Sequence, residues 1–356
     1  MTLTIFHDEI VLIVLALALS IIALLVFMLL RHFFIAMRIR RDDRLVAQLL
    51  PNLCQAICEP ERQDELLEAV SRSNHRVLLS MLVQLSLDLR GEDRKAIAQL
   101  AEKQGIASTE RRRLRSRRAT TRAQAAKNLG LLCVHDALPA LLHLIDADSQ
   151  FDVRLAGVWA LGEIGDRKAV IGLLKLLEDP EPGIVRRAQE ILIDTAPGAS
   201  KVIVDFVQRS EVPTARCAAV EVLGALSDPL ATELLLDLVN DADSELRIKA
   251  VKAAASIADP RFLAIFRRLL SDPVWPIRCQ AARGLGTLGN EVSIPELREA
   301  LKDVEWWVRF NAAVALSEMG SAGHRALVES QSDANRYCHE VARYVLERSD
   351  ANRVAA

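Results

Sequence analysis

Seven arginines, Arg122, Arg154, Arg186, Arg216, Arg247, Arg278 and Arg309, recur with a near-constant period. A fixed period of this kind marks a stack of small structural units, each too small to bury its apolar face alone. The text around the arginines repeats with them: VRLAGVWALGEIGD from Val153, IRCQAARGLGTLG from Ile277, VRFNAAVALSEMG from Val308. A second, Leu-rich stretch follows each, such as KAVIGLLKLLEDP from Lys168. Each unit therefore reads as two helices. With aromatic and β-branched runs scarce, the expected fold is an all-α solenoid of about seven helical pairs over 120–337.

Within a unit, alanines such as Ala281-Ala282 and Ala312-Ala313 take the close-packed positions of the first helix. Glycines such as Gly165, Gly289 and Gly320 suit the left-handed conformation that ends it. Asp148, Asp241, Asp272 and Asp303 each sit six residues before Arg154, Arg247, Arg278 and Arg309. An aspartate there can accept from backbone donors at the next helix start and from the arginine of its own or a neighbouring unit, so stacking builds an acid–base ladder. The third unit departs most, with Asp194 and Pro197 at the motif glycine positions, and a looser joint is expected over 194–213.

The Asp…Val-Arg…Ala-Ala…Leu-Gly pattern resembles the short HEAT-like repeats first described in phycobiliprotein lyases. That resemblance implies the fold, which serves scaffolds, adaptors, lyases and a DNA glycosylase alike. The whole plan is also similar to bacterial membrane-anchored HEAT-repeat proteins, some of them linked to envelope polysaccharide machinery.

The anchor is expected at 10–30, a run whose sole polar residue is Ser20. At about 1.5 Å per residue it reaches about 31 Å, enough for a roughly 30 Å hydrocarbon core. Acidic residues precede it and Arg31, Arg38, Arg40, Arg41 and Arg44 follow, which puts residues 1–9 outside and the rest in the cytoplasm of a single-pass inner-membrane protein. Residues 31–119 then read as a juxtamembrane and irregular helical cap, and 338–356 as a terminal cap and tail.

The net charge is only −2, but Glu110–Arg122 carries seven arginines against one glutamate. The acidic remainder argues against a nucleic-acid partner, which needs a basic face. The cluster of Arg111, Arg112, Arg113, Arg115, Arg117 and Arg118, read as a helix, offers three uses: a solvated face, contact with anionic lipid or an acidic protein, or an anionic nucleotide site. Three residues before the repeat arginine stand Phe151, Trp275 and Trp306, with Trp307 adjoining. Large aromatics at a turn register point either to a partner-binding ridge or to rings folded down over the core. On the second helices His143, Lys175, Asp205, Asp237, Arg268 and Glu299 define a mixed-charge inner face suited to a partner helix or loop, or simply to water.

The six cysteines, Cys54, Cys58, Cys133, Cys217, Cys279 and Cys338, lack the density of a disulfide scaffold and have no companion ligands for a metal. No phosphate loop, zinc-protease helix or nucleophile elbow is present, and no cofactor motif. The expectation is a non-enzyme: a membrane-tethered scaffold or adaptor for a protein partner, in an envelope polysaccharide or transport complex. The alternative implied by the repeat type is phycobilin lyase-like or chaperone activity on a cofactor-bearing protein.

Overall fold

A computed structural model describes the backbone at residues 2–58, 75–89, 91–195 and 198–355. Side chains are described from residue 19 to residue 348 within those ranges, apart from 35, 38, 39, 56–58 and 92. The chain divides into two compact bodies, Met1–Arg112 with Leu131–Val134, and Arg113–Gly130 with His135–Ala356. Every regular element among the described residues is helical.

The first body begins with a helix over Thr2–Cys58, continuous through Pro51. It is followed by His75–Asp88, Glu92–Lys103 and Ile106–Arg113. Leu53, Met81, Leu82, Ile97, Leu100 and Ile106 form its buried core. The expected membrane span is corrected here: among the described residues no helix is long and apolar enough to cross a membrane. The run lies inside one continuous helix, Thr2–Cys58, that goes on through Arg31, Arg40, Arg41 and Arg44. Residues 10–18 of the expected span, and the whole of 1–9, lie outside the described side chains. The inner-membrane location and the lipid contact rested on that span and fall with it.

In the second body the first helices are Ala119–Leu131, Phe151–Ile164, Pro182–Thr195, Pro213–Leu226, Ser244–Ile257, Trp275–Leu288 and Trp306–Glu318. The second helices are Leu138–Ala147, Arg167–Lys175, Ser200–Arg209, Thr232–Leu238, Leu263–Leu269, Ile294–Ala300 and Gly320–Ser330, and Arg336–Ala355 closes the chain. Successive first helices pack on one another, and small residues set how closely. A Cβ added at Gly286 would lie 2.8 Å from the Ala315 Cβ and 2.9 Å from its Cα; Gly224 meets Ala253, and Gly130 meets Ala160, in the same way. Eight residues past the repeat arginine, glycine thus lets one backbone touch the next.

Eleven residues past the arginine the chain turns left-handed to leave the first helix, with positive φ at Cys133, Gly165, Ser227, Ala258, Gly289 and Gly320. Three of these are not glycine, so the stacking imposes the turn even where the side chain disfavours it. The next residue is often a cap: Asp166 accepts from the Ala169 amide, Asp228 from Leu230, Asp259 from Arg261 and Asn290 from Val292. In the third unit Asp194 replaces the close-packing glycine, and Pro182–Thr195 packs less intimately on its neighbours than the later first helices do on theirs. Pro197 lies outside the described residues.

Candidate functional site

The repeat arginines enter the body from the first turn of each first helix, and a carboxylate from the end of the same unit's second helix meets them. Arg122 donates from Nε to Asp148 at 2.5 Å and from Nη2 at 2.8 Å, and Arg278 does the same to Asp303 at 2.7 and 2.9 Å. Arg154 pairs with Asp179, and Arg216 approaches Asp241 at 3.6 Å. The partner is therefore the downstream aspartate that closes the arginine's own unit. Toward the aspartate six residues upstream the arginine offers Nη1 to the main chain: Arg247 to the Asp241 carbonyl at 2.8 Å, Arg278 to Asp272 at 2.9 Å, and Arg309 to Asp303 at 2.7 Å. Those same aspartates accept from the amide two residues on, as Asp303 does from Glu305 at 2.8 Å. One aspartate thus links three segments, and Asp179, seven residues before Arg186, is a rung that spacing alone missed.

Three arginines end differently. The guanidinium of Arg309 is buried and lies 4.5 Å from the Tyr337 ring centre, a cation–π contact in place of a carboxylate. Arg247 makes no ion pair among the described residues. In the third unit Arg186 is exposed, and Ser210 stands where the aspartate would be, donating to Glu178 at 2.6 Å. The hydrogen bond from Arg122 holds the Asp148 carboxyl below its ordinary range against the opposing effect of burial. For Asp303 burial is the largest influence and pushes upward, yet Arg278 and the Glu305 amide together bring it below the ordinary value.

The aromatic register forms a cluster at the carboxy-terminal end. Trp306 stacks on Phe310 with ring centres 5.0 Å apart and planes 8° apart, and Trp307 meets Trp306 edge-on at 4.8 Å. Tyr344 of the last helix joins through Phe310 at 6.3 Å. Trp306 and Trp307 remain 43% and 54% exposed, so the rings present a wet aromatic plate. Trp275 is also exposed but stands in no ring pair among the described residues. Phe151, exposed as well, lies over Gly183 of the next unit, where a Cβ would fall 2.7 Å from its ring edge. The sequence register missed Phe310 and Tyr344. Phe310, one helical turn beyond Trp306, carried a readable signal; Tyr344 did not.

On the second helices His143, Lys175, Asp237, Arg268 and Glu299 are exposed and Asp205 is half-buried. Arg268 donates to Asn240 at 2.7 Å and Glu299 accepts from Lys302 at 3.1 Å. Cross-unit pairs between Arg267 and Glu296 and between Arg298 and Glu329 stitch this layer together, and none of the four was singled out from sequence. The arginine cluster is not one helical face. The helix ends at Arg113, leaving Arg115, Arg117 and Arg118 exposed beyond it, and the cluster is divided between the two bodies after Arg112. Arg111 is committed to Glu102 at 2.6 and 3.0 Å, and Arg112 is exposed. Among the described residues no group of three or more His, Cys, Asp or Glu is placed to hold a metal ion.

The family profile of HEAT repeats matches residues 109–193, 200–278 and 267–347. The chain belongs to the HEAT-repeat family. It is similar to the bilin biosynthesis protein PecE of Nostoc sp., 40% identical over 72 residues that make up 20% of this chain and 28% of that one. The PecE protein of Mastigocladus laminosus is 30% identical over 139 residues, 39% of this chain and 52% of the relative. The chain therefore spans about half, or less, of the curated relatives it matches. Among solved structures, the complex of CpcE and CpcF of phycocyanin lyase from Nostoc sp. aligns over 62% of this chain and 92% of that one, at 23% identity and a TM-score of 0.33.

These relatives correct the expectation of a non-enzyme, which rested on the absence of short catalytic motifs; they are named for a biosynthetic role. The physical reason is the architecture. In a repeat stack, residues that act together come from equivalent places in successive units, far apart in the chain, and no contiguous motif marks them.

Proposed function

We propose that this chain has phycobilin lyase-like or chaperone activity, acting on a protein that carries or receives a linear tetrapyrrole. The observation that carries the reading is the 30% identity over 139 residues to a bilin biosynthesis protein. The protein partner engages the aromatic plate of Trp306, Trp307, Phe310 and Tyr344, where large, rigid rings offer contact area at low entropic cost. The exposed Trp275 and Phe151, and the mixed-charge positions His143, Lys175, Asp205, Asp237, Arg268 and Glu299, extend the surface on which a partner is oriented. Arg115, Arg117 and Arg118 add an acidic-partner contact. The ladder of Arg154, Arg247, Arg278 and Arg309 with Asp148, Asp241, Asp272 and Asp303 keeps the units in register beneath it.

The test is pigment transfer. Full-length protein is mixed with phycocyanobilin and an apo-phycobiliprotein subunit, and coloured subunit is read after denaturation, when only attached pigment remains. At least a tenfold faster gain of correctly absorbing product than without the chain is expected. An unchanged rate and an unchanged product spectrum would refute the reading.

A further inference from the structure

The repeats supply their own control for one position. In the rungs at Arg122 and Arg278 the guanidinium is fixed in one pose: Nη1 donates to two carbonyls of the preceding turn, while Nε and Nη2 form a fork on the aspartate carboxylate. Arg309 keeps the same Nη1 bonds, to Asp303 and Val304, and its guanidinium is covered by Tyr337. Arg247 also keeps them, donating to the Asp241 carbonyl at 2.8 Å and the Ala242 carbonyl at 3.1 Å. Its pose is therefore set as in the closed rungs, and nothing among the described residues takes its fork.

The residue in line to do so is Asp272, the downstream aspartate equivalent to Asp303 in the next rung. Its Oδ1 accepts the Val274 amide at 2.8 Å, and it forms no ion pair with Arg247. Between the two lies an open cavity lined by Val239, Asp241, Arg247, Arg268, Leu269 and Asp272. Val239 and Leu269 are buried and form an apolar floor, and Arg268 brings a second guanidinium to the rim. Asp241 accepts the Asp243 amide at 2.9 Å and lies 3.6 Å from Arg216. A fork-shaped donor with its geometry fixed by the main chain, beside an apolar floor and a second cation, matches a carboxylate on an apolar arm.

We propose that the open rung at Arg247 is a subsite for a ligand carboxylate, of the kind borne by the propionate arms of a linear tetrapyrrole. The class of ligand rests on the function proposed above; the carboxylate preference rests on the rung geometry alone. Arg247 takes the carboxylate bidentately, Arg268 adds charge at the rim, and Asp272 opposes the incoming anion.

Full-length protein is titrated with biliverdin and with biliverdin dimethyl ester, following absorbance, for the wild type, Arg247→Gln and Asp272→Asn. Arg247→Gln is expected to weaken biliverdin at least tenfold and the ester less than twofold. Asp272→Asn keeps the acceptor for the Val274 amide and is expected to tighten biliverdin severalfold, an outcome that a damaged fold cannot imitate. Biliverdin bound alike by all three proteins would overturn the subsite and leave the tetrapyrrole reading standing. If the wild type binds no bilin, the functional reading fails instead, and sodium propionate decides the subsite. A saturable shift of the Arg247 Nε–H resonance upholds it, and no shift overturns it.

Discussion

Arg278 holds both carboxylate oxygens of Asp303, at the far end of its own unit, with the two side chains only 13% and 12% exposed. The fork joins the start of one unit to the end of its second helix, and the Asp303 main chain in turn holds Arg309 of the next. Asp303→Asn preserves the acceptor for the Glu305 amide but removes the charge that Arg278 faces. The expected cost is about 1–3 kcal/mol, the range for a charge-assisted bond whose partner stays partly buried. Asp272→Asn, at the open rung, is expected to cost under about 0.5 kcal/mol, as for a surface substitution. Because a solenoid opens unit by unit, the reading is hydrogen exchange in 275–318: faster by about tenfold or more for the first variant, unchanged for the second. Equal effects would show Asp272 closing on Arg247 in solution.

The same pair sets a dependence on acid. Both Asp148 and Asp303 titrate below the ordinary 3.8 in the folded chain. A carboxylate with a depressed folded pKa stabilises fully above its unfolded value and loses that contribution as pH falls through the folded one. The gap in melting temperature between wild type and Asp303→Asn should therefore be constant near neutrality and close as pH drops below about 3.8. A gap that stays constant as pH falls through the acid range below 3.8 would mean that packing, and not the charge, explains the variant.

The arginine period made the stack legible because each unit must present the same face to the next, so one side chain is selected at one place in every unit. Which aspartate that arginine grips was not legible. The short spacing of six suggests a local pair, but geometry uses it for a main-chain carbonyl and sends the carboxylate to the arginine at the start of the same unit. Asp179 escaped because its spacing to Arg186 is seven. Trp306 and Trp307 stood out as a register, whereas Tyr344 joins them from the closing helix, outside the period. The arginine cluster was read as helical throughout, whereas the helix stops at Arg113. The apolar run at 10–30 satisfied a length rule, but the structure carries it within the longer helix Thr2–Cys58, and among the described residues no helix is long and apolar enough to cross a membrane.

Ala258 and Ser227 sit in the left-handed region, at φ 56° and 50°, where their repeat equivalents Gly165, Gly289 and Gly320 sit without penalty. For an L-residue that conformation costs about 1–2 kcal/mol relative to glycine, partly offset by glycine's greater freedom when unfolded. Ala258→Gly and Ser227→Gly are each expected to stabilise by about 0.5–1 kcal/mol, and Gly289→Ala to destabilise by a similar amount. Chemical denaturation measures all three, and destabilisation by Ala258→Gly would contradict the turn assignment.

Close packing of first helices predicts the opposite for an internal glycine. A methyl at Gly286 meets the Cα of Ala315 at 2.9 Å, a main-chain atom that cannot swing aside. Gly286→Ala gains helix propensity of about 1 kcal/mol yet must push the neighbouring helix away, and overpacking of this kind costs about 1–3 kcal/mol. The net expectation is destabilisation, relieved to some extent by Ala315→Gly in the same chain. A double variant no more stable than Gly286→Ala alone would place the strain elsewhere.

Trp307 tests the aromatic plate with the least harm to the fold, since it is the more exposed of the pair and touches Trp306 only edge-on. It also meets Phe310 edge-on at 6.3 Å, and losing such ring contacts costs about 0.5–1.5 kcal/mol of stability each. A ring at the centre of a binding surface contributes about 2 kcal/mol or more to association, which is roughly thirtyfold in affinity. Trp307→Ala should therefore fold with a melting point a few degrees lower at most, while its affinity for a bilin-carrying phycobiliprotein subunit falls at least tenfold. Val292→Ala, exposed and remote in sequence from the plate, serves as the control and should bind as the wild type does. Should Trp307→Ala and the control bind equally well, the plate is a cap over the last units, with Trp306 on Phe310 covering the apolar interior, and the partner meets the solenoid elsewhere.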